Sequence, residues 1–231
     1  DQLVLIANEI KPDYLTLTEE PKTQEALTKL RFSLSDWSTF IDSTLKRIDR
    51  SSGMLVGAGM GSWENPAYAT TFLRIPEIDY IDLHIYPPGK NGAFLERALD
   101  IALEARRAGK RVTIGESWLY KALPEDLVSG PDISGEVHNN NVFSFWYPVD
   151  ARFVKIIMDL ADATDMDFVS FFWMRNFLAY LDYTTTRPNL STAQLNRLIN
   201  QAAMANLKEG VSSPLGQYYQ QQLHSRTAPG K

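Results

Sequence analysis

Helical periodicity is the first pattern along the chain. Leu3, Ile6 and Ile10 share one face of a helix that Pro12 ends. Apolar residues at the same spacing predict three further helices, at residues 37–48, 94–105 and 149–160. A serine at 191 with a glutamine three residues later is the capping-box signature of a fifth helix. Helical segments are therefore spread along the whole chain.

Short apolar or alternating stretches between these helices predict strands. Five such strands are expected, centred near Leu15, Val56, Ile81, Thr113 and Val169. The last of them covers residues 168–173. Strands that alternate with helices are typical of a parallel sheet covered by helices.

The number of strands leaves two α/β architectures open. One is an open, doubly wound sheet. The other is a (β/α)₈ TIM barrel, a single domain to which residues 1–231 would contribute five of eight strands. The missing strands would then come from upstream sequence or from another chain. An open sheet often carries a Gly-rich phosphate turn, but the glycines at 57–61 lack dinucleotide spacing and predict a tightly packed strand end.

Composition narrows the classes of partner. The chain has a net charge of −5 and no cluster of basic residues, which argues against nucleic acid. It has no cysteine, and no apolar stretch approaches the roughly 20 residues of a membrane helix. These features do not decide the compartment, although secretion or a periplasmic location is compatible with them. The long irregular segment at 119–147 is expected to be functional or mobile.

Two of the strand ends carry a glutamate. Alternation places Thr16, Thr18 and Glu20 on one face of the first strand, so Glu20 is expected to point inward. Glu116 is expected to share an interior face with Ile114 and the valine at 112. A carboxylate that ends an apolar strand is costly unless it is paired or lies in a cleft. The alternatives are a solvated charge pair at the first site and an exposed loop glutamate at the second.

A third strand end has one polar and one apolar face. Asp82, His84 and Tyr86 alternate with isoleucines and a leucine, which is unusual for a parallel strand buried on both sides. This pattern favours a site, although a structural histidine would also fit. Trp173 ends the last strand, and with Trp118 it could stack on sugar rings, unless both are core residues.

In chain order, these motifs resemble strands four to eight of the clan A glycoside hydrolases. Members of that clan end strand four with Asn-Glu-Pro, carry His-x-Tyr on strand six, and end strands seven and eight with Glu and Trp. This sequence has Glu20 followed by proline, His84-x-Tyr86, Glu116 and Trp173 at the corresponding places. The similarity extends over nearly the whole chain. The resemblance implies a retaining glycosidase that acts on an oligo- or polysaccharide without a metal or other cofactor.

The resemblance also implies roles for the residues. Glu116 would be the nucleophile and Glu20 the acid/base, about 5–5.5 Å apart. Tyr86 would bind Glu116, and His84, Trp118 and Trp173 would contact the sugar. The clan usually has asparagine where this chain has Glu19, and a carboxylate can accept but not donate a hydrogen bond to the sugar 2-hydroxyl.

Two other functions remain open from the sequence. Glu20, Asp82, His84 and Glu116 are ligand types for hard cations, so a metal-dependent sugar isomerase or lyase is one alternative. A carbohydrate-binding barrel that has lost its activity is the other, favoured by Glu19. The run Trp-Glu-Asn-Pro at 63–66 contains the motif letters in the wrong order and is expected to form a turn.

Overall fold

A computed structural model describes residues 1–51, 53–88, 92–121, 140–186 and 190–227. Its strands are β1 (Tyr14–Thr16), β2 (Leu55–Gly61), β3 (Tyr80–Ile85) and β4 (Arg111–Ser117). Its α-helices are α1 (Gln2–Leu5), α2 (Pro21–Thr28), α3 (Leu34–Leu45), α4 (Ala67–Leu73), α5 (Ala93–Arg107), α6 (Tyr147–Thr164), α7 (Thr192–Glu209) and α8 (Pro214–Thr227). A π-helical turn (Ile6–Ile10) and three 3₁₀ turns (Asn140–Val142, Ser144–Trp146, Met174–Phe177) complete the elements.

The sheet is wholly parallel, and its strands follow one another in the order β1-β2-β3-β4. It curls into half a barrel, which confirms an α/β fold and is compatible with part of an α/β barrel. Helices α4 and α5 pack against its outer face. The glycine-rich β2 is a packed strand, as expected, because Gly59 donates its N–H to the Thr18 carbonyl at 2.5 Å.

The fifth predicted strand is largely absent. In place of a strand over 168–173, Val169 forms one isolated parallel bridge to Ile114 of β4. The backbone N–H of Ser170 still donates to the Ile114 carbonyl, but Phe171 then turns away into an aromatic cluster and the chain enters a 3₁₀ turn at Met174. Apolar, β-prone residues therefore predicted a strand over 168–173, whereas backbone hydrogen bonds to β4 extend only over residues 167–170.

A β-bulge in β4 interrupts the alternation of side chains that the sequence predicted for this strand. Leu83 of β3 pairs with Ile114, but His84 pairs with Glu116, so Gly115 is an extra residue on β4. Up to Ile114, the strand keeps its apolar side chains on the face away from Asp82. The bulge then reverses the alternation, so Glu116 lies on the same face as His84 and not on the face of Ile114, contrary to the sequence prediction.

The chain forms two compact units. The first contains the whole sheet and comprises Asp1–Tyr86, Gly92–Ser117 and Leu160–Ser170. The second comprises the described residues of Pro87–Asn91, Trp118–Asp159 and Phe171–Lys231. Its core has a cluster of seven buried apolar residues, which are Val142, Phe143, Ala179, Leu181, Leu195, Ile199 and Ala203.

Several smaller predictions can also be compared with the structure. The capping box at Ser191 is present, since its side chain accepts from the Gln194 N–H. Residues 122–139, most of the irregular segment singled out from the sequence, lie outside the described residues. Among the residues that are described, no helix has the length and apolar character needed to cross a membrane.

Candidate active site

Glu20 stands at the junction between β1 and α2. It is the N-cap residue of α2, with extended backbone angles, and Pro21 occupies the first helical position. Proline suits that position because its missing N–H would have no partner there. The Glu20 side chain makes no capping hydrogen bond. Its Oε1 instead lies 2.7 Å from Nδ1 of His84, so the carboxyl reaches along the sheet rim, and the side chain also bonds to Thr23 in the first turn of α2.

Strand β3 supplies the centre of the site. His84 is buried at 2% exposure, and its Nδ1 lies 3.6 Å from Oε2 of Glu116 in addition to its contact with Glu20. Asp82, two residues earlier on the same face, accepts hydrogen bonds from the hydroxyls of Thr16 and Thr113. The polar face predicted for this strand therefore carries two hydrogen-bonded groups, one around Asp82 and one around His84, while its isoleucines and leucine are buried on the opposite face.

The bulge brings Glu116 to this layer. The Tyr86 hydroxyl donates to Oε2 of Glu116 at 2.7 Å. One oxygen of Glu20, one oxygen of Glu116 and a ring nitrogen of His84 all lie within 4.8 Å of one another. The nearest oxygens of the two carboxyls thus approach one another closely, which is compatible with the separation of about 5–5.5 Å usual for the carboxyl pair of a retaining glycosidase. The structure brings Glu20, His84, Tyr86 and Glu116 together.

The ionisable groups of the site shift one another's pKa values. Burial raises the pKa of Glu20, but its hydrogen bonds to His84 and Thr23 outweigh burial, so the net shift is downward. Burial lowers the pKa of His84, but the hydrogen bond to Glu20 and the negative charges of Asp82 and Glu116 outweigh it, so the net shift is upward. The Glu20–His84 pair therefore favours a carboxylate facing an imidazolium.

Glu19 lies beside this pair without joining its hydrogen bonds in the described residues. Its surface is exposed, yet neighbouring protein atoms desolvate the carboxyl enough to raise its pKa, and the charges of Glu116 and Asp82 add to the effect. Its backbone is fixed by Gly59, where a Cβ atom would lie 3.0 Å from the Glu19 Cα. Glu19 is thus an exposed acid with a raised pKa beside the pair, and its contact with a sugar stays a prediction.

The two predicted stacking tryptophans belong to the second unit. Trp118 is fully buried at 0% exposure, edge-on to three phenylalanines and beneath the Lys121 ammonium. Because the surrounding side chains enclose its ring, Trp118 has no face exposed for a sugar. The expected stacking of Trp118 on a sugar is therefore not met. Trp173 is half-buried, and the Arg175 guanidinium lies 4.2 Å from its ring centre. Its role as the floor of a sugar site stays a prediction.

Glu64 was set aside in the sequence as part of a turn. It does lie in a turn, but it is buried at 3% exposure, and both its oxygens accept backbone N–H groups. Burial raises its pKa to about 7, and the charge of Glu20 adds to this shift. The only signal in the sequence was an acidic residue three positions after the glycine that ends a buried strand.

Glu20, His84 and Glu116 are the one group in the described chain whose atoms are close enough to share a cation. Their oxygen and nitrogen donors suit a borderline metal such as Zn²⁺. Asp82 does not join them, because threonine hydroxyls occupy its oxygens. A cation would also have to replace the proton between Glu20 and His84.

Comparisons with known proteins give no family for this chain: no protein-family model matches it, and neither does any curated protein. The geometry of the rim therefore carries the functional argument.

Proposed function

We propose that this protein is a retaining glycoside hydrolase that cleaves O-glycosidic bonds of an oligo- or polysaccharide. The observation that carries the proposal is the pair of carboxyls, Glu20 and Glu116, whose oxygens lie within 4.8 Å of one another and of His84. Such a close approach of one oxygen from each carboxyl suits direct attack by a carboxylate, whereas an inverting enzyme holds its carboxyl groups about 6.5–9.5 Å apart to admit a water.

Glu116 is the better nucleophile of the two. Its side chain is one-third exposed and can reach a substrate. The Tyr86 hydroxyl donates to it, which stabilises the carboxylate and orients one oxygen. In the first step Glu116 would attack the anomeric carbon and form a glycosyl-enzyme ester as the leaving oxygen departs. Water would then attack the same anomeric carbon, displace the Glu116 carboxylate and release the sugar with its original anomeric configuration.

Glu20 serves as acid/base, and it shares its proton with His84. The two groups lie 2.7 Å apart, and the opposite shifts of their pKa values place the shared proton on His84 in the resting site, from where it can pass to Glu20. A leaving oxygen that approaches Glu20 takes this proton as it gains charge. In the second step the Glu20 carboxylate accepts a proton from water, which restores the pair.

The exposed edge of the sheet supports the proposal that further strands complete the barrel. In the described residues, β1 pairs only with β2, and the peptide groups of Tyr14 and Thr16 point away from that partner. Leu27 and Leu30, which follow β1, are 77% and 56% exposed. Unpaired edges and exposed leucines are normally covered. A stable, monodisperse monomer of this chain with no barrel partner would contradict the completed barrel.

Two alanine variants test the two catalytic roles together. Glu116→Ala should abolish turnover of every glycoside, because no covalent intermediate can form. Glu20→Ala should still react with aryl glycosides whose leaving groups need no proton, and should then stall at the intermediate. Added azide should restore turnover of Glu20→Ala, with retained configuration in the glycosyl azide. If azide instead rescued Glu19→Gln and not Glu20→Ala, the acid/base would be Glu19.

A metal-dependent sugar isomerase or lyase is the second candidate, because three ligand types converge on one point. Metal analysis and chelator treatment separate the two functions. A hydrolase that works through Glu20 and Glu116 keeps its activity in chelator, whereas a metalloenzyme loses it and recovers with added metal. Oligosaccharide binding without turnover in either condition would favour a binding protein that has lost its activity.

A further inference from the structure

The carboxyl of Glu64 accepts two backbone hydrogen bonds that a residue with no role beyond the turn would not need. Its Oε1 accepts the Lys22 N–H at 2.5 Å, and its Oε2 accepts the Gly61 N–H at 2.8 Å. Gly61 ends β2, and Lys22 lies two residues after Glu20 in the first turn of α2. One buried carboxylate therefore ties the end of a sheet strand to the start of the helix that carries Glu20.

This contact replaces a missing helix cap. The first N–H groups of an α-helix have no partner within the helix, and the side chain of the N-cap residue usually accepts one of them. In α2 the N-cap residue is Glu20, which makes no such bond. The N–H of Lys22, at the second helical position, goes to Glu64 instead. Because Glu64 caps the helix, the carboxyl of Glu20 is free to reach His84.

The turn around Glu64 is itself held in place. Arg97 of α5 donates to the carbonyl oxygens of Ser62 and Glu64, and the Ser62 N–H donates to the His84 carbonyl. The turn is thus anchored to α5 and to β3. Contacts on three sides thus hold Glu64 in place. If its carboxyl moved, the backbone of Lys22 would move with it, and so would Glu20.

The charge at this position is costly. Burial raises the pKa of Glu64 to about 7, although two N–H donors favour the carboxylate. The charged groups that face it are Glu20 at the start of α2, which raises the pKa further, His84 on β3, which lowers it, and Arg97 of α5, whose guanidinium donates to the Glu64 carbonyl oxygen. The Lys22 ammonium is turned towards Glu25. A buried acid that is costly to ionise and contacts the backbone beside Glu20 indicates a role in the site.

We infer that Glu64 is a positioning residue that holds the first turn of α2 and so sets the contact between Glu20 and His84. The inference rests on the proposed function only for its effect on catalysis, because the contact itself can be measured without a substrate. Glu64 touches no reacting atom and acts entirely through the backbone of Lys22.

The kinetic test compares Glu64 with a matched carboxylate. In Glu64→Ala, kcat should fall roughly 100-fold with little change in KM, the size expected when a catalytic group is displaced by about 1 Å. Glu64→Gln keeps one acceptor for the two amides and should lose roughly 10-fold. The control is Asp79→Asn, since Asp79 also accepts a backbone N–H, that of Val56, near the other end of the strands. Its kcat should stay within about twofold of wild type.

The second readout is the titration of His84, followed by NMR of its imidazole. The chain has three histidines, and a His84→Gln spectrum assigns the signal. If Glu64 holds Glu20 against His84, Glu64→Gln lowers the pKa of His84 because the hydrogen bond weakens while the burial stays. In a Glu20→Gln background, Glu64→Gln should have a much smaller effect, since the contact that it supports is already changed.

These outcomes separate the two proposals. If wild type hydrolyses no glycoside but the histidine cycle shows coupling through Glu20, the hydrolase proposal fails and the positioning role stands. An equal shift of the His84 pKa in both backgrounds would show that Glu64 acts only by its charge, and would overturn the inference. The same holds if Glu64→Gln folds and its kcat matches that of Asp79→Asn.

Discussion

The carboxylates at the two ends of the sheet have different partners. At the amino end of the strands, Asp79 pairs with Arg50, and Asp167 pairs with Arg111. At the carboxyl end, the glutamates 20 and 116 have no lysine or arginine partner within the described chain, and each faces His84 instead. Both ends belong to the first unit, so the contrast lies within one sheet.

The difference shows what each end is built to do. An arginine keeps its charge at every accessible pH, so it fixes a neighbouring carboxylate in one state and supports folding. A histidine exchanges its proton near neutral pH, so it leaves the adjacent carboxylate able to change state. The amino end is therefore a structural end, and the carboxyl end keeps the proton mobility that the proposed chemistry needs.

The largest expected effect comes from exchanging one carboxylate at each end for alanine. Glu116→Ala should reduce kcat on the order of 10⁶-fold with little loss of stability, because a nucleophile is removed from a partly exposed position. Asp167→Ala should do the reverse, since the Tyr14 hydroxyl and the Arg111 guanidinium lose their acceptor. Steady-state kinetics and urea unfolding of both variants check this. Equal kinetic losses would remove the distinction between the two ends.

A second prediction concerns Glu64 and the pH dependence of stability. Its pKa is about 7 in the fold against 4.5 as its ordinary value, so the folded state binds the proton more tightly. Stability is then lost as pH rises from about 4.5 to 7, by about 3 kcal/mol for a shift of this size. Glu64→Gln cannot ionise at this position, so it should not show this loss of stability.

Urea unfolding of wild type and Glu64→Gln at pH 5 and pH 8 measures that loss. The variant should gain stability relative to wild type at the higher pH. Other groups titrate in both proteins: His84, with its raised pKa, loses stabilisation as pH rises through that value, and Glu20, with its lowered pKa, loses it only at acidic pH. The difference between the two proteins isolates Glu64. Parallel pH profiles would show that Glu64 titrates normally.

The bulge offers a third, smaller test. A Cβ atom at position 115 would lie 2.4 Å from Oδ2 of Asp82. Gly115→Ala should therefore cost about 1–3 kcal/mol of stability and lower kcat, because Glu116 follows directly. Gly92→Ala is the control, since a Cβ there meets nothing within 4 Å. Unfolding and kinetics that are alike in the two variants would mean that the bulge can relax without cost.

The smallest effect is expected for Asp79→Asn. Its Oδ2 accepts the Val56 N–H and pairs with Arg50, and both charged side chains are about one-third exposed. The amide keeps one acceptor, so the loss should be about 1 kcal/mol in unfolding free energy. Denaturant unfolding at low and high salt measures it. A loss that does not shrink with salt would assign the effect to the hydrogen bond rather than to the charge.

Much of the sheet follows from local sequence. The alternation of polar and apolar residues on β3 placed Asp82 and His84 on one face without knowledge of the neighbours, because side chains in a strand point to opposite faces in turn. The capping box at Ser191 is equally local, since its partner is three residues away. Helices α2, α4 and α8 were missed, because their short or polar sequences lack a strong apolar stripe.

The sequence by itself determined the parallel α/β fold, the polar face of β3 and the position of Glu20 a few residues after the first strand. Only the tertiary structure decided that a bulge at Gly115 turns Glu116 towards His84, that Trp118 is enclosed, and that the fifth strand shrinks to one bridge. It also decided that Glu64 caps the helix after Glu20. The reason is physical: periodicity records which face a side chain occupies, whereas bulges, caps and burial depend on contacts between residues far apart in the chain.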